Sequence, residues 1–315
     1  MKRGQKSMRR TTILNTGEVK RKTYKDAENA FMKHCKIKNL SQQTLDYYAE
    51  NTRFFHANVP VRYIDEVTQE VFEDFIVAEL DAGKKVTSLN TRIRGLRVFF
   101  KFCAEREYMG AVELKLMKED EEIKEPYTEA ELLRLLKRPV SNRWAEWRTW
   151  AAINYLIATG NRIGTVINTK IEDIDTEEMT IHLTKAKSRR QQIVPLSPAL
   201  SDVLSDYLKT WDWKPEDYLF PSNAGTQIDK RAFQGAIMRY NVARGVTKTS
   251  AHLFRHTFAK NFILAGGGVL QLQALLGHST LDMTRKYVNL YGMDLQRDFE
   301  RLNPLDNLMR GGANA

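Results

Sequence analysis

The sequence predicts a mainly α protein of two domains, the second carrying a small β-sheet. Three observations lead there. At 315 residues the chain exceeds what one hydrophobic core usually serves, so two domains share the length. Apolar residues recur at helical spacing along most of it. A single interval, residues 171 to 196, has the alternation and turn chemistry of strands.

Composition narrows the class. With 42% hydrophobic and 28% charged residues, the chain reads as a soluble globular protein able to bury a proper core. Two cysteines, Cys35 and Cys103, are too few for a disulfide framework and are not spaced like zinc ligands, which suits a reducing cytoplasm. No apolar run approaches the ~18 residues of a membrane span, and the basic N-terminus lacks the apolar stretch of a signal peptide. The chain is expected to stay inside the cell, without a membrane partner. Its net charge of +10 points to a polyanion, but residues 1–22 alone hold +7, leaving about +3 for the rest. A basic solvated tail on an unrelated enzyme gives the same balance, so the placement of the charges matters more than their sum.

After the basic arm of residues 1–22, residues 23–110 read as a domain of short amphipathic helices. One starts at Leu40-Ser41, with Ser41 as N-cap, and runs through Thr44, Tyr48 and Phe54-Phe55. Another starts near Thr87-Ser88 and sets Leu89, Ile93, Leu96 and Phe100 on one core-facing stripe. Beside that stripe, Asn90, Arg94, Arg97 and Lys101 form a second one, able to track phosphates or enter a major groove, or simply to face solvent. Residues 111–126, with the run Lys118-Glu119-Asp120-Glu121-Glu122 and ending at Pro126, read as a linker. The second domain, 127–300, opens with the capping box of Thr128 and Glu131. It contains the strand interval, with Ile181-His182-Leu183, a polar turn at Ser188-Arg189-Arg190, and Ile193-Val194-Pro195-Leu196. Residues 301–315 form a tail, and there are no internal repeats.

The chemistry-bearing residues lie late in the chain. Ser250 caps a helix whose first turns carry His252 and Arg255 on one face, a natural phosphate site. His252 and His256, four apart, also suit a metal. They lack the intervening glutamate of the zinc-protease pattern, and no third ligand stands out. Val269 to Leu276 reads as an apolar helix stopped by Gly277, with Ser279-Thr280-Leu281-Asp282 starting the next. His278 lies in the break. Tyr287, nine residues on, would face away from it on one straight helix, so the break is what can bring them together. Alone, Tyr287 reads as a packed aromatic.

Taken together, Ala158-Thr159-Gly160-Asn161-Arg162, His252-Leu253-Phe254-Arg255-His256 and Leu275-Leu276-Gly277-His278-Ser279 through Tyr287 resemble the signature boxes of the tyrosine recombinases, the phage integrase and Xer family, in order and spacing. Leu40-Ser41-Gln42-Gln43-Thr44 with Tyr48, and Ser88-Leu89-Asn90 with Arg92 and Arg97, are similar to the family's helical core-binding module. The likeness covers roughly residues 25 to 295. It implies a core-binding domain plus an α+β catalytic domain, closing on duplex DNA as a C-shaped clamp, and site-specific breakage and rejoining of DNA.

By position, the resemblance implies that Arg162 and Arg255 grip the scissile phosphate, where guanidinium suits non-bridging oxygens and offsets transition-state charge. His252 would donate to that phosphate or help deprotonate the tyrosine, and His278 would brace it. Tyr287 would attack phosphorus, leaving a 3′-phosphotyrosine and a free 5′-hydroxyl. One phosphoester replaces another, so neither ATP nor metal is implied. The acid for the 5′-oxygen would be a lysine of the strand turn. Counting back from Val194-Pro195-Leu196 selects Lys187; the run Thr184-Lys185-Ala186-Lys187 favours Lys185 slightly. Where many relatives have a glutamate three residues after the first arginine, this chain has Thr165, so the orientation of Arg162 must come from elsewhere.

The resemblance further implies DNA contacts from Thr44, Tyr48, Asn90, Arg92, Arg94, Arg97 and Lys101, inverted-repeat core sites, a dimer per site and a tetramer in the synapse. Accessory proteins are compatible with it. The segment after Leu295, with Phe299 and Leu302, is expected to dock on a neighbouring subunit. Two competing classes are a type IB topoisomerase, acting as a monomer without site preference, and a non-catalytic DNA-binding protein of the same fold.

Overall fold

The computed structural model describes residues 21–119, 125–183, 192–278, 280–281 and 284. The chain divides into two compact units, residues 1–122 and 123–315.

In the first unit, α1 (Tyr24–Ile37), α2 (Gln42–Asn58), α3 (Gln69–Asp81) and α4 (Val86–Glu105) surround one core. Thr23, Ser41 and Thr68 begin α1, α2 and α3, each hydroxyl accepting the backbone N–H three residues on, which satisfies one of the donors left over at a helix start. Phe55 holds the centre, edge-on to Phe75 and Phe100 with ring centroids 5.0 and 5.2 Å away. The expected stripe of α4 is core: Leu89, Ile93, Leu96 and Phe100 are all buried.

Two expectations change here. Arg21 belongs to the body and not to a free basic arm, because its guanidinium is bidentate to Asp65, at 2.8 and 2.7 Å, and lies over the Tyr63 ring. Nor is the segment from residue 111 a plain spacer. Leu114 is buried, and Val112 and Met117 pack on the same core.

The second unit is built around α6 (Trp144–Thr159), whose Trp150, Ala151, Ala152, Ile153, Tyr155 and Leu156 are all buried. A helix apolar over so much of its surface belongs inside its domain. Before it comes α5 (Glu129–Leu136), opened by the expected capping box of Thr128 and Glu131. After it come α7 (Ile163–Val166) and an antiparallel sheet of β1 (Ile174–Asp175), β2 (Thr180–Leu183) and β3 (Gln192–Pro195) in that order. Register pairs Ile181 with Val194, and both point into the core with Leu183. The period-2 reading therefore holds for β2 and β3, while the turn expected at Ser188-Arg189-Arg190 lies outside the described residues. Next come α8 (Pro198–Leu208), α9 (Lys230–Ala243), α10 (Ala251–Leu264) and α11 (Val269–Leu276). Among the described residues, no helix is long and apolar enough to cross a membrane.

Candidate active site

Two chain breaks meet in the second unit. The first follows α6, where Gly160 adopts φ +63° and its N–H returns to Leu156 O, the left-handed helix stop. A Cβ at Gly160 would lie 2.4 Å from the Phe258 ring and 2.8 Å from Leu276, so glycine is required for packing as well as for conformation. Arg162 follows two residues later as the N-cap residue of α7, half-buried.

The second break ends α11. Gly277 has φ +60°, with Gly277 N–H bonded to Ala274 O and His278 N–H to Gln273 O. This double closure is the Schellman arrangement. It delivers His278, only 9% exposed, with Nδ1 2.8 Å from the Thr284 hydroxyl.

Arg255 joins the two breaks. It lies in the second turn of α10, which Ser250 caps as expected by accepting His252 N–H. Its side chain is buried. Nη1 donates to Gly160 O and Nη2 to Leu276 O, both at 2.9 Å. One guanidinium thus fastens the turn that carries Arg162 to the turn that carries His278. A buried cation stays only where it is hydrogen-bonded.

The electrostatics of His278 report what surrounds it. Its pKa is pushed down from 6.5 to about 4, first by burial and then by the charges of Arg255, Arg162 and His252. These three groups therefore lie close enough to act on it electrostatically. His278 is therefore a neutral imidazole at pH 7, able to donate one hydrogen bond and accept another. His252 is exposed at the start of α10, edge-on to His256 at 4.6 Å between ring centroids. No group of three or more potential metal-ligating side chains occurs among the described residues.

The sheet reaches the same place through Gln192, the first residue of β3. Its Nε2 donates to Ala274 O at 2.7 Å and Leu275 O at 2.8 Å, capping the C-terminal carbonyls of α11. Neither Gln192 nor Thr284 was expected from the sequence. An amide at a strand edge and a threonine in a predicted helix carry no local sign of a long-range partner. Lys185 and Lys187 lie outside the described residues, between β2 and β3, and so does Tyr287, three residues past Thr284.

Residues 126–292 match the Phage integrase family, and residues 29–107 match the phage integrase N-terminal SAM-like domain. The chain belongs to the phage integrase family. This recombinase is 23% identical to tyrosine recombinase XerD of Staphylococcus aureus over 281 residues, 85% of this chain and 94% of that one. Its fold is that of the Tn1549 transposon integrase bound to circular intermediate DNA, with TM-score 0.73, 20% identity, and 89% and 100% of the two chains covered. XerH bound to a palindromic difH substrate gives TM-score 0.68 and 20% identity over 90% and 85%. A λ integrase tetramer bound to a Holliday junction gives 0.70 and 17% over 88% and 80%.

The groups expected to read DNA fare differently in the recombinase. Asn90 is fully buried, its amide donating to Met117 O and accepting from Met117 N, both at 2.9 Å, and donating to Glu119. Arg97 gives Nε, at 2.9 Å, and Nη2 to Leu114 O. The expected second stripe of α4 is corrected accordingly: half of it clamps residues 114–119 onto the helix. Arg94 and Lys101 remain largely exposed, beside Glu119 and Glu105 respectively. Arg92 stacks over Phe54 at 3.6 Å. Tyr48 is partly core, tilted against Phe31, while Thr44 is half-buried with its hydroxyl on Ser41.

Proposed function

We propose that this recombinase cuts and rejoins duplex DNA at specific sites through a covalent Tyr287 intermediate, with Arg162, Arg255, His252 and His278 holding the phosphate. The observation that carries the reading is the buried Arg255, whose two carbonyl bonds draw the Arg162 and His278 turns into one cationic pocket. In the step, the Tyr287 oxygen bonds to phosphorus as the bond to the 5′-oxygen breaks. The phenol proton leaves toward His252, and a lysine returns a proton to the leaving oxygen. Lys185 is the first choice for that acid and Lys187 the alternative. The tyrosine is assisted because cations holding the phosphate favour phenolate as it forms. Phosphoester exchange of this kind is close to energy-neutral and needs no ATP or metal.

DNA contacts of the first unit are assigned to Thr44, Tyr48, Arg92, Arg94 and Lys101. The sites are proposed to be inverted repeats on which a dimer sits, with a tetramer forming the synapse and the segment after Leu295 docking between subunits. The λ integrase dimer on a core site and its tetramer on a Holliday junction share this fold. We place the protein in the cytoplasm, on nucleoid DNA.

The test is a nicked suicide duplex that traps the covalent adduct. Wild type is expected to form it, and Tyr287→Phe to lose it while still binding. An adduct that persisted in Tyr287→Phe would move the nucleophile to Tyr291. Sulfur at the 5′-bridging position needs no acid, so it restores cleavage in whichever of Lys185→Ala and Lys187→Ala removes the acid.

A further inference from the structure

We propose that the second unit holds a phosphate-binding cleft at the N-terminal end of α6, about 18 Å along that helix from Gly160 and separate from the Arg255 pocket. At its centre is Arg148, 5% exposed. Its Nη1 donates to Pro221 O at 2.6 Å and Asn223 Oδ1 at 3.3 Å, while its enclosed Nε has no hydrogen-bond acceptor among the described residues. Burial depresses its pKa, and no carboxylate among the described residues is ion-paired with it.

Arg143, Arg239 and Arg244 line the same cleft of about 410 Å³, together with Glu146, the lone lining carboxylate among the described residues. Glu146 is already bonded to Ser141, to Arg244 at 2.7 Å and to Arg143 at 3.5 Å. The remaining balance is strongly cationic.

Two further enclosed donors, on Trp144 and Trp213, belong to an adjoining cavity, while a third, on Tyr207, lines neither. Trp144, whose ring lies 4.8 Å from the Arg148 guanidinium, has an enclosed Nε1 without an acceptor among the described residues, as do Trp213 Nε1 and Tyr207 OH. Buried donors of this kind ordinarily have partners. Trp144 and Trp213 line an adjoining cavity of about 80 Å³, where Asp217 is also present with Oδ2 accepting Lys214 N–H. A group rich in donors and net positive suits a tetrahedral oxyanion, which takes several charge-assisted bonds at once. The phosphate is either free in solution or part of a DNA backbone.

Inorganic phosphate is titrated into the full-length protein at constant ionic strength, following tryptophan emission and thermal midpoint. All five tryptophans lie between residues 144 and 213, so emission reports this region. A saturable response and a rising midpoint are expected in wild type. The response should vanish in Arg148→Met and weaken at least tenfold in Arg239→Gln, an exposed position whose loss spares the fold. If free phosphate has no effect while Arg239→Gln weakens duplex binding and flattens its salt dependence by about one phosphate contact, the phosphate is that of DNA. Should phosphate give no saturable response and duplex affinity be the same in Arg239→Gln as in wild type, water alone meets these donors and the proposal fails.

Discussion

Replacing Gln192 with alanine should slow chemistry more than it weakens the fold. Its Nε2 holds Ala274 O and Leu275 O. Ala274 O also receives Gly277 N–H, so Leu275 O depends more heavily on the side chain. Two neutral hydrogen bonds contribute roughly 1–3 kcal/mol net. Gln192 is half-buried, so water can replace it in part and the lower half of that range applies. For a unit of this size, each kcal/mol lowers the thermal midpoint by about 2–4 °C, giving a fall of about 2–8 °C. The larger effect is positional. The same contacts hold the first residue of β3, which follows in sequence the segment carrying Lys185 and Lys187, against the turn that carries His278. A displacement near 1 Å in such a site can cost about a hundredfold. Adduct formation on the nicked duplex should therefore drop at least tenfold in Gln192→Ala, with duplex affinity within about twofold of wild type. Gln192→Glu, which keeps the length but puts carboxylate oxygens against carbonyls, should be no better. Wild-type cleavage together with the expected midpoint shift would refute the coupling.

Further outcomes follow from the same geometry. Gly160→Ala combines left-handed backbone with a Cβ 2.4 Å from Phe258. The two effects together should cost about 2–5 kcal/mol, measured by urea unfolding, and abolish the adduct. His278 has its pKa lowered to about 4 in the folded chain against an ordinary 6.5. Below pH 6.5 the unfolded chain takes up a proton that the folded one refuses, so this stability is complete above 6.5 and is lost as pH falls toward 4. Between pH 7.5 and 5.0 the loss should be about 2 kcal/mol; an unfolding midpoint equally acid-sensitive in wild type and His278→Asn would contradict it. Asn90→Leu strands both backbone groups of Met117 and should destabilise the protein by about 2–4 kcal/mol. A folded, stable Asn90→Leu protein with altered site preference would instead return Asn90 to DNA reading.

Much of this protein is decided by short-range rules. Ser41, Thr128 and Ser250 mark helix starts because each hydroxyl reaches a donor three residues away or fewer, and Gly277 marks a stop because a left-handed residue is needed there. The α4 core stripe and the β2–β3 alternation are legible for the same reason, since period alone selects the buried face. The residue types of the proposed phosphate pocket are legible too, as Arg162, His252, Arg255 and His278 stand in a recognisable order. What order cannot give is the partner of each group. That Arg255 fastens Gly160 to Leu276, that Gln192 caps a helix 82 residues away, and that Asn90 and Arg97 grip their own chain near residues 114–119 instead of presenting a free face, all depend on contacts across long stretches of sequence. Identical side chains on one helical stripe look alike until the chain folds back. Packing then decides which are taken up by backbone carbonyls and which remain for a ligand.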